Sequence, residues 1–128
     1  MNFASDLLLY QLTDAGRLDG LDWQPFRVGV EIHPLGTVAA GWQADERAPP
    51  AALLRYAAQA EVPRHLHPGF EYIFVLRGSQ SIQSDTGDAF RECQAGSLLV
   101  SPPGSIHRVR SEHGCVVLAY WERKVQFL

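Results

Sequence analysis

The chain has 128 residues, of which 46% are hydrophobic and 20% charged, and a formal net charge of −3. This length fits a single domain with its own hydrophobic core, and the composition is ordinary for a globular protein. Because there is no basic excess, nucleic acid and anionic membranes are not expected as direct partners.

The N-terminal part carries the least information, and we treat residues 1–20 as an arm that precedes a domain of residues 21–128. Within the arm, Ser5 and Asp6 could cap a short helix through Leu7, Leu8 and Leu12. The arm could instead be an edge strand exchanged with a partner.

Targeting signals are not evident in the sequence. No cationic segment precedes the apolar residues 7–9, and no apolar run approaches the roughly 18 residues of a membrane span. We therefore expect a cytoplasmic protein, in which Cys93 and Cys115 are reduced.

From Trp23 onward, Gly and Pro recur at short intervals between short apolar or alternating runs. This pattern is typical of an all-β sandwich or barrel. In chain order, we predict strands at residues 27–32, 38–43, 52–58, 64–67, 71–77, 80–84, 88–93, 97–101, 106–111 and 115–123.

Three side chains able to bind a metal, His65, His67 and Glu71, lie around the fourth of these strands. Side chains at i and i+2 of an extended chain share a face, so the two histidines point the same way. The intervening Pro68 and Gly69 form a turn sequence, after which Glu71 begins a strand that can fold back beside the first. The sequence therefore predicts two imidazoles and a carboxylate that converge on one point.

A second stretch supplies a further histidine, His107, directly after a Pro-Pro-Gly turn. Together the two stretches resemble the paired motifs of the cupin superfamily. The first motif is matched by His65, His67, Glu71 and Gly78, and the second by Gly96, Pro102, Gly104 and His107. The resemblance implies a jelly-roll β-sandwich or barrel of the RmlC-like kind, with a metal bound inside one end by His65, His67, Glu71 and His107.

Two positions depart from the usual cupin pattern. Gln59 stands where the first motif usually opens with Gly, and Ser111 stands where the second usually ends with Asn. Neither position is a metal ligand, so only the turn before Val62 and the hydrogen bonding after His107 are affected. The sequence around residues 70–81 and 102–107 is most similar to the ChrR-like group of cupins, and the resemblance spans roughly residues 23–128.

Imidazole and carboxylate ligands suit several divalent ions, so the residue types do not name the metal. We expect one divalent transition-metal ion per chain, zinc or iron first, with manganese, nickel, cobalt or copper as alternatives. The remaining histidines, His33 and His113, lie in predicted turns and are expected at the surface.

The walls of a substrate pocket should come from the neighbouring strands. Ile73, Val75 and Val109 are expected to face inward and form a mostly apolar wall, and Gln80 is the candidate polar contact. Glu71 is the candidate catalytic residue, as a ligand that can detach or act as a base. The aromatic side chains, including Trp121, are interpreted first as core or interface and second as part of a substrate pocket.

Two functions from different classes fit the resemblance. The first is a mononuclear metalloenzyme, an oxidoreductase of dioxygenase type that acts on a small carbonyl or diketone-like compound. The alternative is a non-catalytic ligand or redox sensor related to the cupin domain of ChrR-type anti-sigma factors. Because only about 20 residues precede the domain, too few for the helical domain of those factors, we favour the enzyme.

The run of residues 72–76 is apolar on both faces, whereas a sandwich buries only one face of each sheet. The second apolar face needs a cover, either from the N-terminal arm or from a second subunit. We expect a homodimer.

Overall fold

The computed structural model describes residues 9–35, 51–87 and 89–128. These residues form one short helix and ten strands. The elements are α1 (Ala15–Asp19), β1 (Gln24–Arg27), β2 (Val30–Pro34), β3 (Ala51–Tyr56), β4 (Ala60–His67), β5 (Glu71–Ser84), β6 (Arg91–Gln94), β7 (Leu98–Ser101), β8 (Ser105–Ser111), β9 (Cys115–Trp121) and β10 (Gln126–Phe127). The predicted all-β fold is confirmed.

The strands form two facing sheets that share one long strand. The first sheet has the order β1-β2-β3-β9-β5-β7, and the second has the order β6-β5-β8-β4-β10. Every pairing is antiparallel. Because β5 passes from one sheet to the other, the two sheets close into a curled barrel.

Strand β5 changes sheets at a bulge. Its first half pairs with β9 and β7, its second half pairs with β8 and β6, and the register shifts between Val75 and Arg77. The next residue, Gly78, has a φ of +74°, and a Cβ atom there would overlap the carbonyl oxygen of Gly114. Only glycine fits at this position. The two strands predicted at 71–77 and 80–84 are thus a single strand.

Other boundaries also differ from the sequence prediction. The strand predicted at 27–32 is a hairpin of β1 and β2, because Gly29 has a φ of +75° and turns the chain. Strand β4 begins at Ala60, ahead of the predicted residue 64, and carries Pro63 at a bulge where its missing N–H breaks no regular pairing. The strand predicted at 38–43 lies outside the described residues.

The main core lies between the two sheets. It is formed by the inward side chains of both, which alternate with outward ones as strand geometry requires. Its buried members are Val30, Ile32, Ala52, Leu54, Tyr56, Ala60, Val62, Ile73, Val75, Val109, Cys115, Val117, Ala119 and Trp121.

A second, smaller cluster covers part of the outer face of the first sheet. Asp14 caps α1 by accepting a 3.1 Å hydrogen bond from the Arg17 backbone N–H. Leu18 of α1 then packs on Leu53 of β3 and Val116 of β9. The helix suggested for residues 5–12 lies largely outside the described residues, and the described helix comes later in the chain.

The rest of that outer face remains exposed. Strands β7, β5 and β9 place two apolar rows side by side, with Tyr72 opposite Val100 and Tyr120, and Phe74 opposite Leu98 and Leu118. We call this surface the outer apolar strip, which consists of Phe70, Tyr72, Phe74, Leu98, Val100 and Tyr120, all exposed. Among the described residues, no helix is long and apolar enough to cross a membrane.

Candidate metal centre

Two paired strands bring the three predicted histidine ligands together. His65 of β4 lies directly opposite His107 of β8, and His67 lies two residues further along the same face of β4. Glu71 follows the short turn after β4 and begins β5 in the other sheet. The site is therefore built where the two sheets meet, at one end of the barrel.

The ligand atoms lie within reach of a single ion. His67 Nε2 is 3.0 Å from His107 Nε2, and Glu71 Oε1 is 3.3 Å from His67 Nε2 and 3.6 Å from His107 Nε2. The nitrogen atoms of all three histidines lie within 4.8 Å of one another. Atoms bound at about 2.0–2.2 Å to one ion have comparable separations.

Burial keeps the imidazoles neutral, which is the form that binds metals. His65, His67 and His107 are 3%, 1% and 5% exposed. Burial lowers the pKa of His67 to about 3 and that of His107 to about 4, and it also lowers the pKa of His65. At neutral pH the site therefore offers three uncharged nitrogen donors.

Hydrogen bonds outside the site orient two of its groups. His65 Nδ1 donates to the Pro63 carbonyl oxygen at 2.7 Å, so its Nε2 is left unprotonated as a ligand atom. Trp121 Nε1 donates to Glu71 Oε2 at 2.8 Å, which turns Oε1 toward His67 and His107. Burial raises the pKa of Glu71 to about 7, although the Trp121 hydrogen bond acts in the opposite direction.

The residues present fit a divalent transition metal. His67 Nε2 and His107 Nε2 face each other at 3.0 Å inside the barrel, with the Glu71 carboxylate beside both. Nitrogen lone pairs so close together repel unless a proton or a cation lies between them. The three buried histidines could thus hold a metal ion, and the donor set is compatible with several metals.

A cavity of about 200 Å³ adjoins the site inside the barrel. His65, Glu71 and Trp121 line its metal end, and its remaining walls are mostly apolar. Those walls comprise Phe26, Leu54, Tyr56, Val62, Ile73, Gln80, Val109, Lys124, Val125 and Phe127.

Three of the four side chains predicted to line a pocket do lie there, namely Ile73, Gln80 and Val109. Val75 faces inward but is fully buried in the core and is not among the lining residues. Strand alternation gives the correct face for Val75 but not its depth along the barrel. Whether Ile73, Gln80 and Val109 bind a substrate stays a prediction.

Among the lining residues, Lys124 and Phe127 were not expected from the sequence, and Trp121 was assigned to a pocket only as the second interpretation. Trp121 shares a strand face with the buried Val117 and Ala119, so period-two alternation could have placed it inside. Phe127 and Lys124 have no such signal, since they reach the cavity only because β10 pairs with β4 far back in the chain.

The remaining histidines do not join the site. His113 is exposed, as expected. His33 is half-buried, contrary to the expectation of a surface residue, because its ring contacts the Asp22 carbonyl oxygen at 2.9 Å and the Tyr10 hydroxyl at 3.3 Å.

An RmlC-like jelly roll with three buried histidines at one end defines a cupin domain. The chain belongs to the ChrR cupin-like domain family, whose model matches residues 13–123. This family assignment confirms the resemblance seen in the sequence motifs. A comparison with curated proteins found no match.

Solved structures with the same fold include proteins of different activity. The polyketide cyclase RemF from Streptomyces resistomycificus is 17% identical at a TM-score of 0.65, over 86% of this chain and 81% of that chain. An RmlC-like cupin from Shewanella frigidimarina NCIMB 400 is 16% identical at a TM-score of 0.62, over 80% of this chain and 84% of that chain.

The DMSP lyase DddQ from Ruegeria pomeroyi DSS-3 is 23% identical at a TM-score of 0.54, over 60% of this chain. The matched part spans only 41% of that lyase. At these levels of identity the likeness shows the shared fold.

Proposed function

We propose that the protein is a mononuclear metalloenzyme that acts on a small carbonyl compound. Its ion would be held by His65, His67, Glu71 and His107. The observation that carries this proposal is that His65 and Glu71 both line the cavity, so that a molecule in the cavity can reach the ion. A purely structural site would need no such access.

The size and walls of the cavity support a small substrate. Its 200 Å³ is below the roughly 300–1,000 Å³ of pockets that hold drug-sized ligands. Most of its lining is aliphatic or aromatic, which excludes water and favours an apolar molecule with few polar groups. The cyclase and the lyase among the solved structures support catalysis by proteins of this fold.

For the reaction we propose a dioxygenase-type cleavage of a diketone-like compound, in which both oxygen atoms of O2 enter the products. An apolar cavity supports this choice, because O2 is itself apolar. A divalent metal would supply a Lewis acid for the carbonyl oxygens and, if it is iron, redox chemistry toward O2. We therefore propose iron as the active metal and zinc as the alternative occupant.

Glu71 would act on the proton of the carbon between the carbonyl groups. Its Oε2 is fixed by Trp121, and its Oε1 is the atom that faces the site. Burial raises the pKa of the Glu71 carboxyl to about 7 in the metal-free site, and as a ligand that can detach from the ion this carboxylate would accept the proton. Val109 and Ile73 would hold the apolar part of the compound against it.

An oxygen-electrode measurement tests this proposal. Iron-loaded protein, prepared without a histidine tag, should consume O2 with at least one member of a panel of small diketones and hydroxy-ketones. The matched controls are His67→Ala, which removes a ligand, and His113→Ala, which removes an exposed histidine. A flat trace across the panel for the wild type would contradict the proposal.

A non-catalytic sensor is the second candidate, and one observation favours it. Strand β5 has Glu71 and Ile73 on its cavity face and Tyr72 and Phe74 on the outer apolar strip. A ligand bound in the cavity would therefore act on the same strand that a partner could contact. A flat oxygen trace, together with a fall of several degrees in melting temperature on metal removal, would favour this function.

We also propose that a second copy of the chain covers the outer apolar strip. The strip crosses three strands, α1 covers only the neighbouring part of the face, and an apolar row of this kind is self-complementary across a two-fold axis.

A cytoplasmic location stays a prediction, with which the free thiols of Cys93 and Cys115 agree.

A further inference from the structure

Gln80 is a buried polar side chain with an unused acceptor. It is 1% exposed, yet it lines the cavity, and its Oε1 has no hydrogen-bond partner among the residues that the structure describes. Buried carbonyl oxygens are almost always paired, because an unpaired one loses its hydration without compensation. An acceptor in this position is suited to a donor that enters the cavity.

Strand register places Gln80 at the far end of the cavity from the metal ligands. Along β4 and β8, His65 pairs with His107, Val62 with Val109, and Ala60 with Ser111. Ser81 pairs with Arg110, so the preceding residue, Gln80, lies at the level of Ser111. The interval from His107 to Ser111 is four residues, or roughly 13 Å along a strand.

Tyr56 lies two strands from Gln80 and lines the same cavity. Tyr56 pairs with Cys115, and Cys115 pairs with Gly78, two residues before Gln80. Hydrogen bonding from Gln80 stabilises the ionised form of the Tyr56 hydroxyl, although burial raises the pKa of that hydroxyl far more strongly. Gln80 Oε1, which is buried and unpaired among the described residues, is the atom left for a ligand.

The space between the two ends is apolar. Leu54, Val62, Ile73 and Val109 line it, and among the described lining residues the charged ones are Glu71 at the metal end and Lys124. A cationic donor at Gln80 would lose its hydration without gaining a counter-charge there. The matching donor is therefore neutral, either a hydroxyl or an amide N–H.

We propose that Gln80 selects the substrate. The substrate class is then a small compound with a metal-binding carbonyl oxygen at one end, an apolar middle, and a neutral hydroxyl or N–H donor at the other end. The carbonyl end rests on the proposed function. The donor end rests on the cavity and the unpaired Gln80 oxygen alone.

A pair of matched ligands tests this inference without turnover. Zinc-loaded wild-type protein is titrated calorimetrically with 7-hydroxyheptan-2-one and with heptan-2-one, which lacks the donor. We expect the hydroxy-ketone to bind about tenfold more tightly or better, because a site built to pair a hydroxyl rejects the analogue that lacks it. Methylation of the hydroxyl, which removes the donor but keeps the oxygen, should abolish the advantage.

Variants assign the preference to its residues. Gln80→Met should reduce the affinity ratio to about one, since the acceptor for the hydroxyl is gone. Tyr56→Phe should reduce the ratio partially. Gln94→Met, on the adjacent strand β6 and exposed, should leave the ratio unchanged.

The outcomes separate this inference from the proposed function. Equal affinities for the two ligands in the wild type, or absence of binding for both, would overturn it, as would an unchanged ratio in Gln80→Met. A tenfold ratio together with a flat oxygen trace would reject the dioxygenase and retain the role of Gln80.

Discussion

Single residues at the metal end have separable roles. His67 and His107 face each other at 3.0 Å inside the barrel, whereas His33 and His113 lie elsewhere in the chain. We expect His67→Ala or His107→Ala to lower the bound metal from about one ion per chain to nearly none. His33→Ala and His113→Ala should retain it. Elemental analysis of untagged protein measures the metal content per chain. Wild-type protein that stays metal-free after reconstitution would contradict the assignment of a metal site.

The Trp121 indole should strengthen metal binding although it is not a ligand. Its hydrogen bond to Glu71 Oε2 both aims the carboxylate and favours its ionised form. Trp121→Phe should therefore weaken metal affinity by about 10–100-fold. It should also raise the pH that is needed for metal binding, because the carboxylate ionises less readily without this hydrogen bond. Tyr120→Phe, one residue away on the outer face, should leave both unchanged. Competition with a chromophoric chelator over a range of pH gives the affinities, and equal values for the two variants would reject this role.

Acid should destabilise the metal-free protein, for a reason that lies in the same residues. Burial lowers the pKa of His67 to about 3 and of His107 to about 4, against an ordinary value of 6.5, so the folded chain binds fewer protons than the unfolded chain below pH 6.5. The contribution of the two neutral histidines to the free energy of unfolding is complete above pH 6.5 and is lost as the pH falls. Glu71 acts oppositely, because its raised pKa gives stability that is lost as pH rises from 4.5 to about 7.

The histidines outnumber the single glutamate, so the net effect is a fall in stability on acidification. We expect the free energy of unfolding to drop by at least about 1.4 kcal/mol per pH unit between pH 6.5 and 4.5. Urea titrations of the metal-free protein across that range measure the slope. His67→Gln should reduce it, and a slope of zero in the wild type would show that the histidines are not buried in this way.

At the scale of elements, the bend in β5 is the feature that joins the two sheets. Gly78 combines a φ of +74° with backbone atoms of Gly114 and Cys115 where a Cβ would lie, whereas Gly96 has a φ of +94° and open space around it. We expect Gly96→Ala to cost only its backbone strain, about 1–2 kcal/mol. Gly78→Ala should cost at least about 3 kcal/mol, because the backbone must also move. Equal melting temperatures for the two variants would contradict this account of the bend.

Much of the site could be predicted from the sequence because it depends on local geometry. The i, i+2 spacing of His65 and His67 fixes a shared face, and the Pro68-Gly69 turn returns the chain so that Glu71 lies beside them. The second motif adds His107 only through the resemblance, since no local rule pairs residues so far apart. Local rules also predicted the inward face of Val75.

What could not be predicted depends on contacts between distant strands. Whether an inward residue meets the core or the cavity is set by its depth in the barrel, which separates Val75 from Ile73. The bulge that merges two predicted strands into β5 arises from pairing with β9 and from the fit of Gly78 against Gly114. Tyr56 was missed for the same reason, since its proximity to Gln80 follows from the order of β3, β9 and β5.

For the molecule as a whole, the outer apolar strip determines the expected assembly. Light scattering at micromolar concentration should give twice the chain mass of 14.2 kDa. Tyr72→Glu, in the centre of the strip, should reduce the mass to that of one chain. Val28→Glu, in the exposed β1–β2 turn, should not. A wild-type mass of one chain would rule out the homodimer.

Strand β5 also indicates how relatives of this protein would diverge. It carries Glu71 before its bulge and Gln80 after it, whereas the three histidines lie on β4 and β8. Gain or loss of two residues at the bulge would change the interval between Glu71 and Gln80, keep Gln80 on the cavity face and leave the pairing of His65 with His107 intact. The length of the accepted molecule would then evolve independently of the metal and its chemistry.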